Sequence, residues 1–254
     1  MALIPRQNVT TNGSPPRFSM ALLFYNEEAN VVPVVTSLRQ ALANARLDCE
    51  LILVDNGSKD RTSALLDELV QGDGRARLVA VPENLGYGWG AIQGLAAAEG
   101  EWIGSMAGDG QVDPDDVVRL LRQVSPAYDL VKVRRAVRED GFLRQAVSDI
   151  YVMLFCLAFN LPFYDVNATP RIFRRKWLPV LDLTSRDWFL DAEILLKAGV
   201  LGFRVKEIPI IFKRRPGGSS NVNFKTVLEF IKNIIRLRLG LELPRWKRKI
   251  RSGS

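Results

Sequence analysis

Three short polar segments in the first half of the chain each follow an apolar run, and they hold the side chains best suited to chemistry. They are Tyr25-Asn26-Glu27, Asp55-Asn56-Gly57-Ser58 and Gly108-Asp109-Gly110-Gln111. The chain contains no histidine, so carboxylates, amides and arginines must supply any catalytic or ligand role. Carboxylates that follow a strand are suited to bind a nucleobase and the hydroxyls of a ribose. A divalent cation held by oxygen ligands suits a diphosphate.

The elements that must position these segments alternate between strand and helix. Short apolar runs bounded by polar turns predict strands, and apolar residues spaced three and four apart predict helices. The predicted strands span residues 18–24, 50–55, 77–81 and 102–106, and the predicted helices span 33–45, 62–70 and 89–98. This alternation predicts an α/β fold with a mostly parallel sheet covered by helices on both faces. Ligands of such sheets bind beyond the carboxyl ends of the strands, where the three polar segments lie.

The second half of the chain has a mixed pattern. A helix is predicted to begin at Pro114, followed by a strand at 129–133, helices at 142–159 and 188–198, and a strand at 203–212. No internal repeat or linker divides this region. We therefore expect a flexible arm at 1–17, one catalytic domain at 18–222, and an amphipathic helix with a basic tail at 223–254.

The bulk composition is that of an ordinary globular protein. With 254 residues, of which 47% are hydrophobic and 25% charged, the chain can bury one sizeable core. Cys49 and Cys156 are far apart in apolar contexts, so a reducing compartment is expected. No secretion signal is visible, and the most apolar run, 150–159, is about half the roughly 20 residues of a spanning helix. The predicted location is the cytoplasm.

A run of glycines follows the third predicted strand. Gly86, Gly88 and Gly90 are spaced G-x-G-x-G, which differs from the dinucleotide-binding pattern and follows the wrong strand for it. Glycines allow close approach of the backbone. We expect them to approach a nucleotide or a neighbouring element.

The basic character of the chain belongs to its C-terminal part. From Leu201 onward there are fourteen Lys and Arg and three Glu, which gives +11, so the first two hundred residues sum to −4 of the net +7. Apolar residues from Phe224 to Leu239 repeat at three and four, which predicts an amphipathic helix. A basic run at 245–251 follows, with Trp246 as an interfacial aromatic.

Two interpretations of this tail remain open. The apolar stripe either packs against the catalytic domain or lies on an anionic membrane, where each basic residue contributes about 1 kcal/mol. Nucleic acid could attract the same charge. Nothing else in the sequence suggests that the base sequence of a nucleic acid is recognised, so no nucleic-acid partner is expected.

The polar segments resemble, in order and spacing, the family 2 glycosyltransferases with the GT-A fold. The branch most similar is the dolichol-phosphate-mannose synthase type, whose acceptor is a polyprenyl phosphate. The matching blocks are residues 25–28, 54–58, 84–86, 109–111, 135–140, 165–167, 171–175, 191–193, 207–209 and 215–220. The resemblance covers residues 18–220. It implies a GT-A, Rossmann-like fold and an inverting hexosyltransferase.

The resemblance implies a role for each matched position. The donor-binding residues would be Tyr25, Asn26, Glu27, Asp55, Asn56, Gly86, Asp109, Arg215 and Ser220. Mg²⁺ or Mn²⁺ would be bound by Asp109 and Gln111. The residues that orient the acceptor phosphate would be Arg135, Arg138 and Ser148, and the catalytic residues would be Asp109, Arg135, Arg138 and Asp191. The alternative for the arginines is a solvated basic face.

One position departs from the pattern. The family usually has D-x-D where this chain has Ala107-Gly108-Asp109, so the first carboxylate is missing. Asn56 likewise replaces an Asp that is often present. Gln111, diphosphate oxygens and waters must then complete the coordination of the cation.

Three functions are compatible with these residues. The first is transfer to a polyprenyl phosphate by an enzyme bound peripherally to the membrane, alone or through a membrane-protein partner. The second is transfer to a hydroxyl, with Asp191 or Glu193 as the base because no histidine is present. The third is a nucleotide-binding protein that has lost catalysis, for which Ala107 is the main argument.

Overall fold

The computed structural model describes residues 15–71, 73–138, 142–214 and 224–252. The side chains of 138, 142–147 and 224–231 lie outside this description. Most of the predicted N-terminal arm lies outside it as well.

The first half of the chain forms four strands that alternate with helices. In chain order these are β1 (Phe18–Phe24), α1 (Glu28–Asn44), β2 (Cys49–Asp55), α2 (Thr62–Val70), β3 (Ala76–Ala80), α3 (Tyr87–Ala97), β4 (Trp102–Ala107) and α4 (Pro114–Arg122). The second half continues with β5 (Leu130–Arg138), α5 (Phe142–Phe159), β6 (Arg171–Arg174), a 3₁₀ turn (Arg175–Trp177), α6 (Leu178–Leu181), α7 (Leu190–Val200), β7 (Val205–Phe212), α8 (Phe224–Leu239) and α9 (Glu242–Ser252).

The seven strands form one mixed sheet in the order β3-β2-β1-β4-β6-β5-β7. Six strands run in the same direction, and only β6 runs antiparallel to its neighbours β4 and β5. The prediction of an α/β fold with a mostly parallel sheet is confirmed.

Helices cover both faces of the sheet because the strands are apolar on both sides. Phe18, Met20, Leu22 and Phe24 of β1 pack in the core layer formed with α1, α2 and α4. Ala21 and Leu23 point to the opposite layer, formed with α3, α5, α7 and α8. This alternation is what the period of a strand dictates.

Several elements differ from the prediction, among them the short helix α6, which was not predicted. Strand β6 was not predicted, since its four residues, with a charge at each end, carry too weak a pattern. Helix α1 begins at Glu28 and contains Pro33, which the prediction took as the start because proline favours a first turn. The basic tail forms helix α9, with Pro244 accommodated in its first turn.

The C-terminal helices pack on the domain through part of the predicted stripe. Ile234 and Leu237 of α8 are buried, whereas Ile235 and Leu239 are 53% and 81% exposed. Trp246 of α9 is buried, and its indole N–H donates to the carbonyl of Val180 at 2.9 Å. The prediction of Trp246 as an interfacial aromatic is therefore wrong: the ring anchors α9 on the fold.

Within the described residues, none of the helices combines the length and apolarity needed to cross a bilayer.

Candidate active site

The carboxyl ends of three adjacent strands bring the predicted polar segments together. In the sheet β1 lies between β2 and β4, with Phe24 beside Asp55 and Leu23 beside Ala107. The amide of Asn56 donates to the carbonyl of Phe24 at 2.9 Å, and that of Gly108 donates to Leu23 at 2.8 Å. The three segments therefore form one continuous edge.

Side chain to backbone hydrogen bonds lock the two loops after β1 and β2 onto each other. Asn26 has a positive φ of 53°, and its Oδ1 accepts from the amide of Lys59 at 2.8 Å. The amide of Asn26 donates to Ser58 Oγ at 3.0 Å, and Asp55 Oδ1 accepts from the amide of Ser58 at 2.9 Å. Similarly, the amide of Glu27 donates to Thr62 Oγ1 at 2.9 Å. This side of the edge is held rigid before any ligand arrives.

The start of α3 approaches this edge through glycine. Asn56 Nδ2 donates to the carbonyl of Gly86 at 3.1 Å, and Gly86 has a φ of 113°. A Cβ at Gly86 would overlap the carbonyl oxygen of Arg186. The glycines thus approach a neighbouring element, as one of the two predictions stated. Asn56 Oδ1 is buried and has no hydrogen-bond donor among the described residues, which leaves an acceptor for a ligand N–H or O–H.

Asp109 and Gln111 lie on the loop after β4, each 7% exposed. The amide of Gln111 donates to Asp109 Oδ1 at 3.2 Å. Gln111 Nε2 donates to the carbonyl of Lys213 at 3.0 Å, and the amide of Lys213 donates back to the carbonyl of Gln111 at 3.0 Å. The end of β7 therefore orients the Gln111 amide and leaves its Oε1 as a further acceptor.

The donor set of this loop fits a divalent cation that takes most of its ligands from the substrate. Asp109 offers a carboxylate and Gln111 an amide oxygen, both of which are ligands for Mg²⁺ or Mn²⁺. Among the described residues, no three acidic, histidine or cysteine side chains converge on a point suited to a metal ion. A cation held here would depend on diphosphate oxygens and water.

Tyr87 and Asp191 extend the site from Asp109 towards β6. Enclosure of the hydroxyl raises the pKa of Tyr87 well above its ordinary value, and the carboxylates of Asp191 and Asp109 act in the same direction. The Tyr87 ring stacks on Trp188, with centroids 4.4 Å apart and planes 10° apart. Both carboxylates therefore lie within electrostatic reach of the Tyr87 hydroxyl.

Asp191 is a buried carboxylate, 3% exposed, whose ion pair with Arg171 contains no side-chain hydrogen bond. Its Oδ1 lies 3.3 Å from Nη2 of Arg171 without an aligned hydrogen bond. Burial raises the pKa of Asp191 to about 6, although Arg171 and Arg135 oppose the rise. Arg171 is fully buried, and it donates instead to the backbone carbonyls of Asp191 at 2.6 Å and Ala168 at 3.0 Å.

Arg135 enters the site as half of a buried ion pair. Its Nε and Nη2 donate to the two carboxylate oxygens of Asp165, each at 2.7 Å. Burial alone would raise the pKa of Asp165, but Arg135 and Lys132 hold it well below its ordinary value. The alternative of a solvated basic face is wrong for Arg135, whose side chain is 11% exposed.

Lys132 is fully buried below this pair. Its Nζ donates to the carbonyl of Asp165 at 2.5 Å, to that of Val133 at 2.8 Å and to Glu207 Oε1 at 3.0 Å. Burial lowers the pKa of Lys132, against the attraction of the two carboxylates. The cluster joins β5, β7 and the loop before β6.

Glu193, the second candidate base, is saturated by other groups. Its carboxylate accepts from the amides of Thr184 and Ser185 at 3.2 Å and 2.8 Å, and from Lys197 Nζ at 2.6 Å. It lines a cavity of about 350 Å³ shared with Trp246 of α9. This arrangement orders the turn before α7 and leaves Asp191 as the candidate base on that helix.

Comparisons with known proteins agree with this geometry. The sequence profile described as glycosyl transferase family 2 matches residues 19–195. The chain belongs to glycosyltransferase family 2. Members of this family take the sugar from a nucleotide-sugar donor, so the chain is a nucleotide-sugar-dependent glycosyltransferase.

Relatives within the family are distant. A Klebsiella pneumoniae protein, undecaprenyl-phosphate 4-deoxy-4-formamido-L-arabinose transferase, is 25% identical over 226 residues, which cover 87% of this chain and 68% of that protein. The Salmonella choleraesuis protein of the same name is 23% identical over 221 residues, covering 86% and 66%. The chain thus spans about two thirds of the length of these relatives.

Solved structures share the fold. Glucosyl-3-phosphoglycerate synthase from Mycobacterium tuberculosis, in complex with Mn²⁺, UDP-glucose and phosphoglyceric acid, matches with a TM-score of 0.68 and 18% identity over 89% of this chain and 80% of that one. The same enzyme with Mg²⁺ and UDP matches with a TM-score of 0.67 and 18% identity, covering 88% and 79%.

Three of the predicted site residues lie partly or wholly outside the described part, and a fourth, Ser148, is described but has no contact within it that tests its role. Arg138 ends β5, but its side chain lies outside the described part, and Arg215 and Ser220 lie outside it entirely. Ser148 is a half-buried residue of α5. Their roles stay predictions.

Sequence reasoning assigned no specific role to Lys132, Arg171 or Tyr87. The sequence signal for Lys132 is a basic residue inside a predicted apolar strand, Leu130-Val131-Lys132-Val133, and that for Arg171 is only a basic residue before two apolar ones. A charge buried there needs a partner. Tyr87 stands between glycines and gives no such signal.

The raised pKa of Asp191 predicts a measurable pH dependence of stability. The folded-state pKa, about 6, exceeds the ordinary 3.8, so the native state binds this proton more tightly than the unfolded state. The stabilisation is complete below the unfolded pKa and is lost as pH rises through about 6. By linkage it amounts to roughly 3 kcal/mol.

Urea unfolding of the wild type and Asp191→Asn between pH 4 and pH 7, without added metal, measures this effect. The free energy of unfolding of the wild type, relative to that of the variant, should fall by about 2 kcal/mol over that range, because pH 4 lies just above the ordinary pKa of 3.8. A difference that stays constant with pH would show that the pKa of Asp191 is not raised.

Proposed function

We propose that this glycosyltransferase moves a hexose, with inversion, from a nucleotide sugar to a lipid-linked phosphate of the polyprenyl type. The observation that carries the proposal is the continuity of charged groups from the donor edge to β5. Tyr87 lies within electrostatic reach of Asp109 and Asp191, Arg171 pairs with Asp191 at 3.3 Å, and Asp191 lies within electrostatic reach of Arg135. A donor diphosphate at one end and an anionic acceptor at the other would meet along this line.

The donor would bind across the ends of β1, β2 and β4. Asp55 is 5% exposed and held by one of its oxygens, so its other oxygen suits a ribose hydroxyl or a base N–H. Asn56 Oδ1 supplies a second acceptor beside Gly86. Tyr25, Glu27, Arg215 and Ser220 complete the proposed donor contacts.

Asp109 and Gln111 would hold Mg²⁺ or Mn²⁺ against the diphosphate. A bound cation neutralises the charge that develops on the leaving diphosphate. The protein's own contribution is orientation, since the hydrogen bonds between Gln111 and Lys213 fix the loop. The M. tuberculosis enzyme, whose structures hold Mn²⁺ or Mg²⁺ with UDP, supports this assignment by its fold.

The acceptor phosphate would be oriented by Arg135, together with Arg138 and Ser148. A phosphate oxygen is already a nucleophile, so single displacement with inversion needs no base. Asp165 fixes the Arg135 guanidinium in place, which lowers the entropy lost when a phosphate binds. The names of the Klebsiella and Salmonella relatives, which include undecaprenyl phosphate, support this class of acceptor.

A second candidate is transfer to a hydroxyl acceptor. The observation that favours it is Asp191, a buried carboxylate with a pKa of about 6, which is suited to remove a proton near neutral pH. Saturation of Glu193 leaves Asp191 as the base in this alternative.

Association with the membrane surface is supported by α5 and α8, which pack together. Helix α5 exposes an apolar stripe at i, i+3, i+4 and i+7, formed by Ile150, Met153, Leu154 and Leu157. Helix α8 adds exposed Ile235 and Leu239, with exposed basic residues at Lys232, Arg236 and Arg238. Apolar residues next to basic ones fit an anionic lipid surface. Helix α5 directly follows the end of β5, where the acceptor phosphate would bind.

Asp109→Asn should lower kcat/KM by at least about 100-fold, since the site loses its carboxylate for the cation. The measurement is mass spectrometry of products from a panel of sugar nucleotides with Mn²⁺ and polyprenyl phosphate. Asp115→Asn, at an exposed carboxylate in the first turn of α4, is the matched control and should keep wild-type activity. An unimpaired Asp109→Asn would move the site elsewhere, and nucleotide binding by the wild type without transfer to any acceptor would support the catalytically inactive alternative.

Asp191→Asn separates the two acceptor classes. With polyprenyl phosphate as acceptor, turnover should stay within about threefold of wild type, because the phosphate oxygen needs no base. The variant's melting temperature at pH 6 to 7 serves as the control for folding. A loss of at least about 100-fold in a folded variant, with wild-type kcat/KM falling below pH 6, would favour the hydroxyl acceptor.

The membrane surface is tested by flotation with vesicles of neutral or anionic phospholipid. Met153→Asp/Leu157→Asp should reduce recovery on anionic vesicles at least roughly tenfold, since two exposed apolar side chains no longer enter the lipid. Val32→Asp, at a similarly exposed apolar residue of α1, is the control and should float like the wild type. Equal wild-type recovery on both vesicle types, or no loss in the double variant, would contradict the assignment.

A further inference from the structure

The segment at residues 182–189, between α6 and α7, lies between the C-terminal helices and the start of α3. We call it the bridging segment. Its contacts with α3 and with the C-terminal helices are made by three consecutive residues, Arg186, Asp187 and Trp188. A movement at one contact therefore reaches the other contact through a single residue.

On the donor side, the bridging segment supports the first turn of α3. The amide of Trp89 donates to the carbonyl of Arg186 at 3.1 Å, and the Arg186 guanidinium lies over the Trp89 ring, 5.0 Å from its centroid. The Trp188 ring stacks on Tyr87 at 4.4 Å. Gly86, at the start of this turn, accepts from Asn56. The position of the donor edge therefore depends on where the bridging segment sits.

On the other side, α8 contacts the same segment through a buried amide. Asn233, 5% exposed, donates from Nδ2 to Asp187 Oδ2 at 2.8 Å. Asp187 Oδ1 accepts from the amide of Phe189 at 2.9 Å. The carboxylate of Asp187 is thus held by both oxygens, one by the segment itself and one by the C-terminal helix.

We propose that Asn233 is a positioning residue for the donor site. By fixing Asp187, it fixes the Arg186 carbonyl against Trp89 and the Trp188 ring against Tyr87. It thereby keeps Gly86, at the start of α3, beside Asn56. Helix α8 then contributes to the geometry of the donor site. The effect of Asn233 on donor binding rests on the proposed function. The structural link from Asn233 through Asp187 to Trp89 does not.

Hydrogen–deuterium exchange of the full-length protein without ligand tests the link directly. Asn233→Ala should speed exchange of the Trp89 and Phe189 amides several-fold at temperatures where the variant is folded. Asn233→Ser, which keeps a hydroxyl too short to reach Asp187, serves as a second variant and should behave alike. The exchange of β1 amides reports global unfolding, and its acceleration should be smaller than that of the Trp89 and Phe189 amides.

Two further variants separate positioning from general stabilisation. The exchanged pair Asp187→Asn/Asn233→Asp keeps a donor and an acceptor facing each other and should restore slow exchange. Lys249→Ala removes another contact between a C-terminal helix and the segment, the 2.8 Å ion pair with Asp182, and should leave the Trp89 amide unchanged. Unchanged Trp89 exchange in Asn233→Ala, or an equal change in Lys249→Ala, would overturn the inference.

Kinetics test the catalytic consequence with UDP-sugars and GDP-sugars, Mn²⁺ and polyprenyl phosphate. Asn233→Ala should raise KM for the nucleotide sugar about tenfold, with kcat changed less than threefold and KM for the acceptor unchanged, and the exchanged pair should recover the wild-type KM. A fall in kcat alone would contradict a role in donor positioning. If the wild type transfers no sugar, the proposed function fails while the exchange experiment still decides the link.

Discussion

Two full positive charges, on Lys132 and Arg171, lie in the interior, and the architecture of the second half depends on neutralising them. Both side chains are completely buried, so each must be met by carboxylates or carbonyls. Their partners come from β5, β7, α7 and the loop before β6. Loss of one partner from such a pair typically costs about 3–5 kcal/mol, because the other charge stays buried. These elements consequently have little freedom to move separately.

This constraint also sets the electrostatics of the site. Burial raises the pKa of Asp191, and Arg171, which directs its guanidinium to backbone carbonyls, offsets that rise only in part. Asp165, by contrast, accepts three hydrogen bonds from Arg135 and stays ionised. Two carboxylates in one buried cluster thus have opposite shifts. The two pKa shifts differ because Arg135 directs its N–H groups to Asp165, whereas Arg171 directs its own to backbone carbonyls. Only the three-dimensional arrangement reveals this.

The sequence predicted those parts of the molecule in which local pattern and tertiary contact agree. Helix α2 was predicted residue for residue, and the three polar segments were correctly expected at adjoining strand ends. Strand β6 was missed because its antiparallel insertion between β4 and β5 is a tertiary event without a local signal. Trp246 was misassigned because a basic helix with one aromatic has the same pattern whether the ring meets lipid or Val180. The contact of Asn233 with Asp187 joins residues 46 apart in the chain and could not be predicted at all.

The C-terminal helices have a buried face and an exposed face, which periodicity alone could not separate. The domain buries one face of α8 and the Trp246 ring of α9, which together form the committed face. Ile235, Leu239 and the basic side chains are exposed. The committed face contacts the bridging segment, and the outward face is the one proposed to meet lipid. If the outward face meets lipid as proposed, a change in that contact would bear on the Asn233–Asp187 hydrogen bond of the same helix. For an enzyme whose proposed acceptor is itself in the membrane, this arrangement places the donor edge under the influence of the same surface that presents the acceptor.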